Sequence, residues 1–150
     1  MDALNDCLRI YEQWHEYAKT RNVTALVDLY AEQAIFESPL VPAILDHLNT
    51  GVLTGKEQIL HFLEEGTKKR PNDLVRWYRT GKYLTDGHTL VWEYPRVTPE
   101  GDQIDILELM EIEQGKIKYH RIYWGWKGIM QIAPALVKNR SDSSSLNQSS

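Results

Sequence analysis

Apolar and polar side chains alternate along residues 103–126, the longest such pattern in the chain. The even positions from Ile104 to Ile112 are apolar except for Glu108. Successive side chains of a strand point to opposite faces, so these positions share one face, which is predicted to be buried. A carboxylate in such a row must be paired, protonated or placed at the edge of a wet cavity.

A tight turn is predicted to join this strand to the next one. A two-residue turn at Gln114 and Gly115 needs positive φ at both positions, which disfavours glutamine. A three-residue turn needs positive φ at Gly115 alone, and that register sets Glu108 opposite His120. A slip of one residue sets Arg121 there instead. The register with His120 is preferred, and both stay open.

Two further strands are predicted over residues 73–84 and 88–98, because an Asp-Gly turn separates two runs rich in β-forming residues. A four-residue turn after the second strand sets Glu93 opposite Glu108. Glu93, Glu108 and His120 then lie in a row across three strands. Two adjacent carboxylates and an imidazole can share protons, which general acid–base catalysis requires, so these are the candidate catalytic residues. The alternative is a structural hydrogen-bonded cluster in a partly polar core.

Apolar residues at helical spacing predict three helices in the first half of the chain. Together with the antiparallel strands that follow, they predict an α+β fold with the helices on one face of a curved sheet. A last helix is predicted over residues 125–137, limited by Pro134. Residues 139–150 are rich in Ser, Asn and Gln and are predicted to be a disordered tail. One domain, residues 1–138, remains.

The composition excludes several classes of partner. A net charge of −4 and a pI near 5.7 argue against nucleic acid as a partner. No stretch approaches the roughly 20 apolar residues that cross a bilayer, so no membrane association is expected. The start of the chain lacks the pattern of a signal peptide, and the single cysteine, Cys7, fits a reducing compartment. A cytoplasmic location is therefore predicted. The histidines lack the spacing of paired metal ligands, so neither a metal nor a cofactor is expected.

Three segments carry a resemblance to a known family: YAEQAIFESP at residues 30–39, LTGKEQILHFL at residues 53–63 and GKIKYHRIYWG at residues 115–125. They are similar, in the usual order, to segments of the NTF2-like superfamily and in particular of its SnoaL-like branch. The resemblance implies a cone-shaped α+β fold, a pocket between sheet and helices, and a homodimer through the outer face of the sheet. Members include ketosteroid isomerases, scytalone dehydratase, limonene epoxide hydrolases and polyketide cyclases, and others only bind or scaffold.

The catalytic residues of these relatives do not carry over to this chain. The oxyanion tyrosine of the isomerases falls on Trp14 and their aspartate base falls on Ser38, next to Glu37. The water-activating aspartate of the epoxide hydrolases falls on Ile122, and their acid aspartate falls near Glu93. The resemblance therefore implies a different set of functional residues, or none.

Two functions stay open on this basis. The first is a cofactor-independent acid–base enzyme of isomerase, cyclase or dehydratase type, acting on a small, largely apolar molecule. The second is a non-catalytic ligand-binding or dimerisation module that uses the same pocket. The residues predicted to line the pocket are Trp14, Glu37, Ile106, Met110, Ile122 and Trp124. The apolar outer face of the hairpin predicts the dimer contact, through Leu107, Leu109, Ile117, Tyr119 and Tyr123.

Overall fold

The computed structural model describes residues 2–72 and 76–147, with side chains described as far as residue 138. The helices are α1 (Ala3–Thr20), α2 (Val23–Val27), α3 (Leu40–Ile44), α4 (Lys56–Lys69) and α5 (Trp126–Asn147). The strands are β1 (Tyr30–Glu37), β2 (Val52–Thr54), β3 (Leu84–Thr85), β4 (Thr89–Glu93), β5 (Val97–Thr98), β6 (Gly101–Asp102), β7 (Ile106–Glu113) and β8 (Lys116–Trp124).

Six strands form one curved sheet in the order β2-β1-β8-β7-β4-β3. Strand β1 runs parallel to β8, and the other neighbours are antiparallel. Helix α1 packs on β4 and α4 packs on β1, so the helices lie over one face of the sheet. The predicted α+β class is confirmed, as is the packing of helices on a curved, mainly antiparallel sheet.

Helix α1 shows why the helical layer forms. Its buried side chains include Cys7, Ile10 and Trp14, which recur at helical spacing and face the sheet. Burying a large apolar side chain contributes about 1.5–3 kcal/mol relative to leaving it exposed. The side chain of Asp2 accepts a hydrogen bond from the backbone at the helix start, and Arg21 ends the helix in the left-handed conformation.

The hairpin of β7 and β8 differs from both predicted registers. Gln114 and Gly115 form a two-residue turn with φ values of 51° and 72°, so the predicted three-residue turn is wrong. Beyond this turn a bulge leaves Lys118 without a cross-strand partner. Glu108 consequently pairs with Ile122 rather than with His120 or Arg121.

The bulge also decides which residues of β8 face the helices. Ile117 and His120 lie on either side of the bulge, and both are fully buried. An odd spacing along a regular strand would place two side chains on opposite faces, and the extra residue cancels that difference. The prediction that Ile117 lies on the outer face is therefore wrong.

The pairing of β4 with β7 corrects a second prediction. Trp92 lies opposite Glu108, and Glu93 lies opposite Leu107 on the outer face of the sheet. The predicted pairing of Glu93 with Glu108 is wrong by one residue, because β4 and β7 are not joined by a four-residue turn. The chain instead leaves the sheet at Pro95, which has no N–H to donate, and forms the separate β5–β6 hairpin.

The two strands predicted over residues 73–84 and 88–98 are also shorter than expected. The strand predicted over residues 73–84 is reduced to β3, and its first residues, 73–75, lie outside the described residues. Trp77, which the sequence places in that strand, instead packs on Tyr94 with ring centroids 5.0 Å apart. The strand predicted over residues 88–98 is divided into β4 and β5, because Pro95 interrupts it.

The last helix is longer than predicted. Helix α5 passes through Pro134, and its backbone is helical as far as Asn147, where the sequence predicts a disordered tail from residue 139. Residues 148–150 lie outside the described residues. The described side chains that pack this helix against the domain include Ile132, which is fully buried. The boundary of the domain at residue 138 stays a prediction.

Candidate functional site

Five buried side chains form a continuous hydrogen-bonded cluster between the sheet and α1. Glu108 Oε1 lies 3.1 Å from His120 Nε2, and Glu108 Oε2 accepts from the Tyr94 hydroxyl at 2.7 Å. The other ring nitrogen of the imidazole, His120 Nδ1, lies 2.7 Å from the Tyr30 hydroxyl. The Trp14 indole donates to the same hydroxyl at 3.3 Å. We call these five residues the central cluster.

The order of donors in the central cluster assigns its protons. An indole N–H only donates, so the Tyr30 oxygen accepts from Trp14 and directs its own hydrogen to His120 Nδ1. The imidazole is then neutral, with its proton on Nε2, and donates to Glu108. An imidazolium would instead leave the buried Tyr30 hydroxyl hydrogen without an acceptor within the cluster. The arrangement that satisfies every group is therefore an ionised carboxylate that receives two neutral donors.

Burial sets the ionisation of the two tyrosines in the central cluster. Tyr30 and Tyr94 are each about 1% exposed. Loss of hydration raises the pKa of Tyr94 well above 10, and the charge of Glu108 raises it further. Loss of hydration likewise raises the pKa of Tyr30, although the hydrogen bond from Trp14 opposes the shift. Both hydroxyls remain protonated and can serve as donors throughout the neutral range.

Adjacent central strands hold the acidic and basic members of the cluster. Glu108 is on β7 and His120 is on β8, where their direct partners are Ile122 and Met110. The two are diagonal neighbours on one face, a distance that long side chains can span. Tyr30 begins β1, next to β8, and Tyr94 follows β4, next to β7. The sheet therefore brings donors to Glu108 from both sides.

A cavity of about 220 Å³ lies between this cluster and the helices α1, α3 and α4. Glu108 lines it, although the residue is only 3% exposed. Each carboxylate oxygen has two lone pairs and accepts one of the two hydrogen bonds, so each keeps one for a ligand. Most of the remaining lining is apolar and includes Tyr30, Leu26, Phe36, Phe62, Leu63, Leu40, Ile44, Ile104 and Trp77.

The sequence-predicted pocket residues divide into two groups. Four of them line the cavity: Trp14, Ile106, Ile122 and Trp124. Met110 is fully buried in the core and does not line it. Glu37 does not line it either, since its carboxylate accepts from the Tyr119 hydroxyl at 3.0 Å, beside the outer face of the sheet.

The predicted catalytic residues are likewise only partly brought together. His120 contacts Glu108 but has no exposed surface and does not line the cavity, so only the carboxylate of the pair reaches the cavity. Glu93 is exposed on the outer face, where its carboxylate lies 3.5 Å from Arg96. The row of two carboxylates and an imidazole is therefore replaced by one carboxylate, one imidazole and two tyrosines.

Sequence reasoning missed Tyr30 and Tyr94. Tyr30 stands at the start of the first segment that carries the family resemblance, but no local pattern assigns it a role. Tyr94 alternates with Trp92, so it shares the face of Trp92 once the register is known. The predicted register differs by one residue and puts Glu93 on that face, so it puts Trp92 and Tyr94 on the opposite face.

A second buried histidine, His15, lies beside the cluster. Its Nδ1 lies 2.6 Å from the Tyr11 carbonyl and must donate to it, while Nε2 has no hydrogen-bond partner among the described residues. The ring packs against Trp92, with centroids 4.8 Å apart. Burial lowers the pKa of His15, against the opposing effects of the Tyr11 carbonyl and of the Glu108 charge. His15 is therefore neutral in this environment.

Two features are absent from the part of the chain that the structure describes. Within residues 2–72 and 76–147 no helix is long and apolar enough to cross a membrane. Across the same residues, no three side chains among His, Cys, Asp and Glu converge in a way that could hold a metal ion.

Solved structures with the same fold come from several bacteria. A SnoaL-like protein of unknown function from Burkholderia thailandensis superposes with a TM-score of 0.60 at 16% identity, covering 81% of this chain and 96% of that one. A putative ketosteroid isomerase from Kribbella flavida gives 0.58 at 15% identity, covering 81% and 79%. A protein with a ketosteroid isomerase-like fold from Catenulispora acidiphila, in complex with trimethylamine, gives 0.58 at 18% identity, covering 83% and 92%. At these identities the likeness shows the fold alone.

The sequence itself supplies the family. None of the curated proteins with which it was compared matches it. The model of the SnoaL-like domain matches residues 11–120, which include all five members of the central cluster. Since that match covers well over half of the chain, the protein belongs to the SnoaL-like domain family of the NTF2-like superfamily.

Proposed function

We propose that the protein binds a small, largely apolar molecule in the cavity and that Glu108 acts on it as a general base, without a cofactor. The observation that carries this proposal is the position of Glu108, which lines an otherwise mainly apolar cavity and keeps a free lone pair on each oxygen. An ionised carboxylate in such surroundings is an effective proton acceptor, because the apolar walls exclude competing water.

The central cluster supports a base that takes a proton and returns it. The proton leaves a C–H or O–H group of the ligand for Glu108, and the electron pair stays in the ligand. His120 and Tyr94 hold the carboxylate in place through their hydrogen bonds. These bonds are charge-assisted only while Glu108 is ionised, which favours return of the proton to the ligand at a second position. Isomerisation, cyclisation and dehydration are the reaction types that use such a transfer.

The second candidate function is binding without catalysis. The observation that favours it is that every member of the central cluster has a hydrogen-bond partner within it, as a structural core requires. The cavity then holds a ligand, and Glu108 contributes only an acceptor for one of its donors. The two functions share the site and differ in whether a proton moves.

A proton-exchange assay separates the two functions before the natural ligand is known. Phenylcyclohexanone is small, largely apolar and carries C–H groups next to its carbonyl, whose replacement by deuterium in deuterium oxide is followed by NMR. The base predicts accelerated exchange that Glu108→Gln reduces by about 100-fold or more, the usual contribution of general acid–base catalysis. Glu113→Gln is the matched control, because Glu113 ends the same strand in an exposed ion pair with Lys118. Binding of the ketone without acceleration would establish the non-catalytic function.

We also propose that two copies associate through the outer face of the sheet. Leu107, Leu109 and Tyr119 are half-buried there, and Tyr123 is 54% exposed. The same face carries Glu111, whose carboxylate lies 3.5 Å from Arg121. In a two-fold dimer the face meets itself, so its apolar residues and its paired charges of both signs are complementary to a second copy.

A further inference from the structure

The cavity is elongated along two helices. Residues from Trp14 in α1 to Arg21, just after its end, line the cavity, as do residues from Phe62 in α4 to Arg70, just after its end. At the helical rise of 1.5 Å per residue, these stretches are about 10 Å and 12 Å long. The two helices end together, because the Arg21 guanidinium donates to the Thr67 and Arg70 carbonyls at 2.6 and 2.7 Å. The cavity therefore has one end at the middle of both helices and another at their C-termini.

The inner end is negatively charged. The ring of Trp14 lies 5.7 Å from that of His120, and Phe36 lies 5.1 Å from both His120 and Phe62. Since His120 is bonded to Glu108, these aromatic residues place the inner end at the carboxylate. The donors that reach Glu108 are neutral, so its charge is not cancelled within the central cluster.

The outer end is positively charged. Arg21 and Arg70 both contribute to the lining, and the two carbonyls that Arg21 binds do not neutralise a guanidinium. Arg70 meets Arg21 through its backbone carbonyl, so its own guanidinium takes no part in that contact. Among the residues that the structure describes, the remaining lining at this end is Gly66, Thr67, Pro71 and Asn72, and these add no carboxylate.

Resting on the function proposed above, we infer that the ligand is an elongated apolar acid whose anionic group lies at Arg70 and whose opposite, uncharged end lies at Glu108. An anion at the inner end would face the carboxylate, whereas at the outer end it meets a guanidinium that suits planar oxyanions. The wall between the ends is apolar and partly aromatic, and it fits a body of about 10 Å, the length of the α1 stretch. The two charges thus orient the ligand, and the bond that loses its proton is the one remote from the acid.

Three matched compounds test the charge of the ligand: para-phenylbenzoate, para-phenylbenzyl alcohol and para-phenylbenzylammonium. They share one apolar body and differ only in the terminal group. We expect the carboxylate to bind about ten-fold more tightly than the alcohol, as a charged hydrogen bond adds roughly that much affinity. The ammonium compound should bind most weakly. Calorimetry gives the three affinities, and displacement of the alcohol by the acid shows that they share a site.

Variants of α4 locate the effect. Arg70→Gln should lower the affinity for the carboxylate about ten-fold more than the affinity for the alcohol, and so remove the preference for the acid. Lys68→Gln is the matched control, because Lys68 is an exposed cation of the same helix end, lies 3.0 Å from Glu65 and does not line the cavity. Arg21 is left intact, since its bonds to two carbonyls join α1 to α4.

Each outcome decides a different question. Equal affinity for the acid and the alcohol, tightest binding of the ammonium compound, or an equal loss for acid and alcohol in Arg70→Gln would overturn the anionic end and leave the proposed binding function standing. If none of the three compounds binds, the proposed function itself fails. A preference for the acid that Arg70→Gln abolishes and Lys68→Gln preserves supports the inference.

Discussion

Glu108 and His120 are joined at 3.1 Å although neither is the direct cross-strand partner of the other. If Glu108 and His120 were direct cross-strand partners, the pairing of the two strands alone would fix the distance between their side chains. The diagonal arrangement instead lets the carboxylate reach sideways to His120 with one oxygen and to Tyr94 with the other. The two hydrogen bonds of Glu108 thus link β7 both to β8 and to the residue that follows β4. Their contributions to the free energy of unfolding are expected to be cooperative.

The first prediction concerns that cooperativity. His120→Leu removes the donor to Glu108 and the acceptor for Tyr30, so we expect the free energy of unfolding to fall by about 3 kcal/mol or more. The double variant Glu108→Leu/His120→Leu should lose less than the sum of the two single variants, with a coupling of about 0.5–3 kcal/mol. Urea denaturation measures all three. Lys118→Leu, which breaks only an exposed ion pair, is the control and should change stability by less than about 1 kcal/mol.

The second prediction is a loss of stability in alkali. The pKa values of Tyr30 and Tyr94 are raised in the folded protein, so above pH 10 the unfolded chain has released protons that the folded protein still holds. Stability is therefore full below pH 10 and falls as the pH rises beyond it. Ultraviolet absorbance should show two of the eight tyrosines ionising only when the protein unfolds. Ionisation of all eight in the folded state would contradict the cluster.

The third prediction is an acid-side dependence that comes from His15. Its pKa is lowered from 6.5 in the folded protein, so below that pH His15 binds a proton in the unfolded chain but not in the folded protein. The contribution is present above pH 6.5 and is lost as the pH falls towards the lower value. His15→Gln should flatten the pH dependence of the free energy of unfolding in this window. His61→Gln, at an exposed position of α4, should leave it unchanged.

The fourth prediction addresses the proposed dimer. Sedimentation at micromolar concentration should give twice the mass of the chain. Tyr123→Glu replaces the most exposed aromatic ring of the outer face with a carboxylate. We expect this variant to be monomeric, since like charges would then meet across the two-fold axis. Lys116→Glu, at the exposed first residue of β8, is the control. A wild-type monomer would contradict the proposal.

The fifth prediction concerns the end of the chain. Removing residues 139–150 should change the free energy of unfolding by no more than about 0.5 kcal/mol, the scale of surface changes. The composition of this segment offers little apolar surface to bury, even though its backbone is helical to Asn147. Thermal unfolding of the full and shortened chains measures the difference. A larger loss would mean that the segment docks on the domain or on a partner.

The sequence alone predicts the fold and three members of the central cluster, which are Glu108, Trp14 and His120. Alternation over β7 identifies Glu108 as a carboxylate on a buried face, and helical spacing in α1 identifies Trp14. Both inferences need only one element at a time. His120 was found although the register was wrong, because the actual register differs by two residues from the predicted one and so preserves the face.

The placement of Tyr94 depends on where the chain leaves the sheet, which alternation does not encode. The β5–β6 hairpin moves the pairing of β4 by one residue, and this exchanges Glu93 for Trp92 and Tyr94 on the inner face. Pro95 marks the interruption in the sequence, but not its effect on register. The Tyr94 donor of Glu108 is therefore beyond what local patterns predict, whereas Glu108 itself and its other donor, His120, are not.

The bulge at Lys118 adds one residue between Ile117 and His120 without changing the face on which either side chain lies. Deleting Lys118 would leave Ile117 and His120 two positions apart, so both would keep their partners Ile112 and Met110 on the inner face. A deletion of one residue at the bulge is thus expected to leave the register of the hairpin and the position of His120 unchanged. Among related chains, the bulge can therefore be present or absent while an imidazole stays inside the cone.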